Sequence, residues 1–444
     1  MGAALRVHAF ELCLRRQVFV RGQFPRRRLF PLFQKNRWGV FPSFSLGWRI
    51  TEEEFLKNQR IFDNLKLRAS WGQLGNQNGL GLYDHIAQYT VSGYYPFAGG
   101  LGQWASVKQL PSESRTWETV EMTNIALDLG FLNNRLSLTG EYFIKRNKDM
   151  LVKIELPSVI GIDVPTGNYG ELEVKGWDFS IGWKDRTGGF GYEVRFNLSD
   201  QKDKLVDYGI EYNGFTAGVD QKVQGYSLGS IFGYKTDGYF TSEEEVKKSA
   251  VINRSVVGVG DIKYIDKDDD GKISAPNDLE YLGTTTPRFV FGLNLHADWR
   301  EWDLGVTFQG VGKRNFYLSQ EIMAPFSVTW GNFSYEMHND YWTPENPDAA
   351  LPRHYAGSGH NYKISDHWLQ NAAYVRLKNL QLGYSFRKEW LDKAGIERLR
   401  LYFSGENLFE FSKLNKNFDP ELTDINGYVY PMMRNFSCGV NLTF

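Results

Sequence analysis

The feature that most limits what this 444-residue chain can become is a two-residue alternation of apolar and polar side chains, in segments that come in pairs. Successive strand side chains point to opposite faces, so each such segment is a β-strand with one apolar and one polar face. From Trp38 the positions Val40, Phe44, Leu46, Trp48 and Ile50 are apolar, and the polar link TEEEFLKNQRIFDN leads to Leu65, Leu67, Ala69 and Trp71. Ile125, Leu127 and Leu129 turn through FLNN into Leu136, Leu138 and Tyr142, and Trp177, Phe179, Ile181 and Trp183 turn through KDRTGG into Tyr192, Val194, Phe196 and Leu198. Phe289, Phe291, Leu293, Leu295, Ala297 and Trp299 reverse at Arg300-Glu301 into Trp302, Leu304, Val306 and Phe308. Leu380, Leu382, Tyr384 and Phe386 pass a short link to Leu399, Leu401 and Phe403, and the chain ends on Phe436, Cys438, Val440, Leu442 and Phe444.

Between these hairpins lie insertions at about 75–118, 148–171, 202–284, 312–371 and 412–433, rich in Gly, Asn, Asp, Tyr and Pro and too long for ordinary connections. Short links on one side and long loops on the other is the rhythm of a bacterial outer-membrane barrel, with short periplasmic turns and long extracellular loops. Trp183, Trp299 and Trp302 at strand ends fit interfacial girdles. The expected fold is therefore all-β, an antiparallel transmembrane barrel fragment of about eleven strands, half of a 22-stranded barrel. That parity places Phe444 at the periplasmic end, where it reads as an outer-membrane assembly signal and the apolar face of its strand as lipid-facing. The rival is a secreted β-rich glycan-binding or glycan-degrading protein, told apart by whether the chain extracts into detergent with the outer membrane.

Composition removes other classes. No run of eighteen apolar residues exists, which excludes membrane helices while leaving barrels open. A net charge of -1 with no basic stripe on the main body argues against nucleic acid as a partner. Two distant cysteines, Cys13 and Cys438, make neither a disulfide framework nor a thiolate metal site. No GxSxG elbow, HExxH, phosphate loop or singled-out carboxylate pair suggests an enzyme. Residues 1–36 are arginine-rich with one acidic residue, Glu11, and no persisting strand or helix period, so they are expected to be a non-native segment from a wrong start or shifted frame, with the barrel part at 37–444. They lack the apolar core and cleavage site of a secretory signal.

One segment carries chemistry of its own. In DIKYIDKDDDGKISAPNDLEYLG, Asp266, Asp268 and Asp270 followed by Gly271 match the first half of an EF-hand-type calcium loop. Lys272 would add a backbone carbonyl and Ser274 a side-chain or water contact, whereas Asn277 stands where a bidentate Glu belongs, so Asp278 or Glu280 would substitute by another path. A solvated acidic turn is the plainer reading. Loop aromatics Tyr94, Tyr95, Phe97, Trp104, Trp330, Trp342 and Tyr355 could stack on sugar rings, although packing anchors account for such residues more often.

The segments FPSFSLGWRI, LKLRASWGQLGNQ, WETVEMTNIALDLGFLNNRLSLTGEYFIKR, GNYGELEVKGWDFSI, GSIFGYKTDGYF, YWTPENPDAALPR and LRLYFSGENLFEFS, in that order, resemble the C-terminal half of SusC/RagA-type TonB-dependent transporters of the Bacteroidetes. The resemblance runs from about Asn36 to Phe444. It implies an outer-membrane location and a 22-stranded barrel occluded by an N-terminal plug. It also implies a SusD-like lipoprotein lid, TonB as energy source acting through N-terminal parts missing here, and import of glycans or peptides. Membrane lipid and lipopolysaccharide would surround the wall, and no cofactor would be required beyond a candidate Ca2+ in an extracellular loop. With unpaired edges in lipid, this chain alone is expected not to transport.

Overall fold

The computed structural model describes the chain apart from residues 1–4, 15–16, 30, 82, 98, 108–110, 154–158, 160, 162–165, 210–215, 255, 320–321, 323–337, 355–358, 393–394, 423–429 and 431. The chain forms two compact units. The first comprises Met1–Ile181, Gln201–Glu211 and Gln224–Tyr226, and the second Gly182–Asp200, Tyr212–Val223 and Ser227–Phe444.

In the first unit the main sheet runs in chain order through β1 (Leu5–Leu14), β2 (Val18–Arg28), β3 (Ser43–Arg49), β4 (Phe62–Asn76), β5 (Glu118–Phe131), β6 (Leu136–Val152) and the first part of β7 (Gly167–Thr187). The short strand Trp38–Val40 also pairs with β2. The second unit holds the first part of β8 (Phe190–Asp207), whose residues from Gln201 on belong to the first unit, and β9 (Arg288–Trp299), β10 (Trp302–Lys313), β11 (Tyr374–Ser385), β12 (Arg398–Ser412) and β13 (Asn435–Thr443) in chain order. The registers are antiparallel.

Eleven of these strands begin at or after Ser43, as the alternation predicts; β1 and β2 are additional and lie within residues 1–36, where the sequence shows no persisting strand or helix period. Val18, Val20 and Gly22 pair with Trp48, Leu46 and Phe44, so β2 extends the apolar face of β3, and the Phe24 and Phe44 rings meet edge to face at 5.4 Å. The alternation in β2 is hard to see in the sequence because Arg26 and Arg28 continue the apolar register, with Arg26 stacking on Trp38 at 4.6 Å.

Which face is which follows from the side chains. By register Arg21, Gln23, Ser43, Ser45, Lys66, Arg68, Ser70, Asn124 and Lys145 share one face of the first unit's sheet. Across this polar face Arg68 donates to both oxygens of Asp128 at 2.8 and 3.0 Å. Leu46, Leu67, Ile125 and Tyr142 stand exposed on the opposite face; in the second unit Leu304, Leu382, Leu401, Phe403, Phe436 and Val440 do the same. An apolar face left in the open over so many strands is what lipid covers.

Leu136 to Ile144 runs roughly 27 Å along β6 at ~3.4 Å per residue, or roughly 20 Å along the membrane normal after a ~40° tilt, near the ~25 Å of an outer-membrane apolar band. At the short-turn end Trp299 pairs with Trp302, and the Trp302 and Tyr384 rings lie 4.8 Å apart, giving an interfacial aromatic girdle. The two-residue link Arg300-Glu301 holds Arg300 at φ 54, the left-handed conformation that a II′-type reversal requires of its first residue.

Most short links are only a few residues, 132–135, 188–189 and 300–301, whereas 77–117, 208–287, 314–373 and 413–434 emerge from the other end. The strands outlast the apolar pattern: β6 reaches Val152 and β7 starts at Gly167, so the insertion expected at 148–171 shrinks to 153–166.

Candidate functional site

In the second unit the described residues within 216–223, 227–287 and 314–373 fold into a compact body of their own. Small sheets made by Gly218–Gln221, Ser230–Tyr234 and Leu279–Thr284, by Thr236–Tyr239 with Ile262–Tyr264, and by Asn315–Tyr317 with Leu369–Asn371 enclose Tyr234, Ile262, Tyr264, Ile273, Leu279 and Trp368. Asp261, fully buried, ties this core together. It accepts from Arg353 Nε and Nη2 at 2.8 Å each, from Asn361 Nδ2 at 2.9 Å and from the Gly258 N–H at 2.8 Å.

The acidic turn sits on this body, anchored by Ile273 in the core and by a bridge between Val251 and Lys272. Asp269 at φ 56 and Gly271 at φ 82 wind it tightly. Carboxylate oxygens of Asp266, Asp268 and Asp278 lie within 4.8 Å of one another. Asp266 Oδ2 accepts from the Gly271 N–H at 2.8 Å, while its Oδ1 is buried without a hydrogen-bond partner. Asp278, 1 % exposed, accepts from the backbone of Lys267 and Ser274 at 2.7 Å each. Asp270 instead caps the Lys272 N–H at 2.8 Å, and Asn277 donates to Asp268 at 2.8 Å. Lys272 and Ser274 therefore enter through backbone groups that shape the turn, and Asp278, reached by the longer path, joins the carboxylates. Three clustered carboxylates and an orphaned buried oxygen fit a hard, oxygen-seeking cation such as calcium.

A second feature belongs to the first unit. The link 77–117 carries a hairpin of Tyr89–Phe97 and Gly100–Val107. Tyr94, Tyr95 and Trp104 are 64, 63 and 44 % exposed. Tyr95 and Gly93 alternate onto one face, and Trp104 lies across Gly93, where a Cβ would come within 2.7 Å of the indole nitrogen. Trp342 differs from these three: it is half-buried against Gly260, whose missing Cβ leaves 2.2 Å to the ring, and it acts as a packing anchor. Trp330 and Tyr355 lie outside the described residues.

Buried His338 and His360 and half-buried His354 and His367 sit in the second unit's loop body. Burial and His338 hold His354 down to about 4, and burial lowers His360 and His367 as well. The Tyr341 and His354 rings stack at 4.6 Å. Sequence reading passed over these residues, because nothing in their spacing distinguishes a core histidine from an exposed one.

A wall of alternating strands, apolar face outward and long loops at one end, defines an outer-membrane β-barrel protein. The chain belongs to the family of the TonB dependent receptor-like β-barrel, whose model matches residues 17–408. It is 30% identical over 442 residues to TonB-dependent receptor P26 of Formosa agariphila, covering 92% of this chain and 43% of that protein. It is 27% identical over 428 residues to TonB-dependent receptor SusC of Bacteroides thetaiotaomicron, covering 92% and 40%. The solved RagAB peptide transporter superposes with a TM-score of 0.82 at 21% identity, over 99% of this chain and 47% of that one, which shows the shared fold. The chain thus spans less than half the length of these relatives. The SusC/RagA-type resemblance and the outer-membrane location read from the sequence hold.

Proposed function

We propose that this chain forms barrel wall and extracellular loops of a TonB-dependent importer of SusC/RagA type, taking up oligosaccharides in preference to peptides. The observation that carries the sugar reading is the exposed aromatic hairpin: Tyr95 and Trp104 offer broad faces on one side of it and Tyr94 on the other, and the apolar faces of sugar rings pack on such planes. A SusD-like lipoprotein would cover the extracellular loops, TonB would supply energy, and Phe444 would serve barrel assembly. Asp266, Asp268 and Asp278 would hold calcium, which when bound screens the three carboxylates and stiffens the turn.

The test has two parts. Outer-membrane fractionation with detergent extraction places the chain, and a chain found free in the soluble fraction would favour the secreted alternative. Calorimetric titration with oligosaccharides and with peptides of similar mass then separates the substrates: sugar binding lost in the Tyr94→Ala/Tyr95→Ala/Trp104→Ala variant supports the reading, and sugar binding unchanged in that variant, or peptide bound more tightly than sugar by the parent chain, refutes it.

A further inference from the structure

The strands of the first unit carry their outward face past the apolar band, and there the side chains change character. On β6 the outward series Leu138, Tyr142, Ile144 continues as Arg146 and Lys148. On β5, Ile125 and Thr123 give way to Glu121; on β4, Trp71 gives way to Gln73; on β7, Phe179 and Trp177 give way to Lys175, Glu173 and Glu171. The hydrogen bonds confirm that these groups share a face. Gln73 Nε2 and Lys148 Nζ both reach Glu121 Oε2, at 3.1 and 3.2 Å, Arg146 Nη2 reaches Glu173 Oε2 at 2.9 Å, and Lys175 Nζ reaches Glu173 Oε1 at 2.6 Å.

On β8, Val194, Phe196 and Leu198 pair with Leu295, Leu293 and Phe291 on the outward face, so Gln201 falls on the polar, lumen side by alternation. Alternation therefore turns Lys202 and Lys204 outward beside β7, and both are exposed. Among the described residues neither makes an ion pair, in contrast to Arg146, Lys148 and Lys175. The belt holds five cations against the three carboxylates Glu121, Glu171 and Glu173, and so carries surplus positive charge immediately above the surface that contacts lipid chains.

We propose that this belt, Arg146, Lys148, Lys175, Lys202 and Lys204, binds the phosphate groups of lipopolysaccharide in the outer leaflet. A lipid whose acyl chains lie against Ile125, Tyr142 and Phe179 brings its headgroup to the height at which these side chains begin. Lys202 and Lys204 have flexible stems that lie along apolar surface while the ammonium meets phosphate. The paired carboxylates hold Arg146 and Lys175 in place and limit the surplus charge, which favours a phosphorylated headgroup at this height over a generally polyanionic ligand. The inference rests on the membrane-spanning reading of the wall.

The chain would be folded into phosphatidylcholine vesicles, alone or with 10 mol % (about one lipid in ten) lipopolysaccharide or phosphatidylglycerol. Insertion is scored by protease protection and heat-modifiable mobility, and lipid retained after detergent purification is measured by native mass spectrometry. The expected result is retained lipopolysaccharide in preference to phosphatidylglycerol, with apparent affinity falling about tenfold or more in the Lys202→Glu/Lys204→Glu variant and in high salt. Gln201→Glu, one residue away on the lumen face, should change nothing. Equal retention by the double variant, or equal retention of phosphatidylglycerol, overturns the inference while leaving the barrel intact; failure to insert into any vesicle overturns the barrel reading and this inference with it.

Discussion

Asp261 shows how much one side chain can decide. A carboxylate with no solvent contact is tolerable only because Arg353, Asn361 and a backbone N–H satisfy it, and removing one partner leaves an uncompensated charge in the core. Arg353→Ala is expected to destabilise the second unit's loop body by about 3–5 kcal/mol, read as lost amide protection of Ile262 and Tyr264 in hydrogen exchange. Asp261→Asn keeps the shape, removes the buried charge and should cost less. The histidines set a pH limit. His354, His360 and His367 titrate lower in the folded protein than their unfolded value of ~6.5, so above that pH they are neutral in both states and their contribution is intact. As pH falls below ~6.5 the unfolded chain binds protons that the folded chain refuses, and stability declines until His354 itself protonates near about 4. Limited proteolysis at a series of pH values from above the ordinary histidine value of ~6.5 down to about 4 should show this body opening on acidification, and replacing His354 with Gln should flatten the profile. At the acidic turn, calcium addition should raise the loop body's melting temperature in the parent chain and not in Asp278→Asn; an equal rise in both would sink the metal reading.

At the scale of the strand, one residue of register separates lipid from lumen. Leu380 pairs with Val306 on the outward face, and Gln381, its neighbour, faces the lumen opposite Gly305. Leu380→Arg is expected to cost about 2–4 kcal/mol near the bilayer midplane, and Gln381→Arg well under ~1 kcal/mol, measured as unfolding midpoints in urea for chain inserted in vesicles. The alternation that fixes these faces was legible for the eleven strands from Ser43 on, because lipid demands an apolar residue at nearly every outward position. It was illegible in β2, where Arg26 and Arg28 occupy the register of Val18 and Val20, and in β1, where His8 follows Leu14, Leu12 and Phe10 in the same register; both break the pattern that lipid would impose. The strand ends were misplaced for the same reason. Above the apolar band a strand keeps its hydrogen-bond ladder and no longer needs hydrophobic side chains, so β6 continues through Arg146 and Lys148 to Val152.

For the molecule as a whole, the proposed function divides between a wall that holds position in the membrane and loops that would choose what is bound. Oligosaccharide binding should therefore follow the loop aromatics: Tyr95→Ala and Trp104→Ala are each expected to weaken it about tenfold, by calorimetry, with barrel stability unchanged. By itself the sequence determined the all-β class, the faces of most strands, the end from which the long loops emerge, and the acidic turn. Those are local consequences of a period of two, of link length and of carboxylate spacing. Only the tertiary structure decided that Asp278 and not Asp270 joins Asp266 and Asp268, that Trp342 is an anchor and Trp104 a surface, and that the ion pairs of Arg146 and Glu173 stand outside the lumen. Each of these depends on which segments the fold brings together across long stretches of chain, and no local periodicity records that.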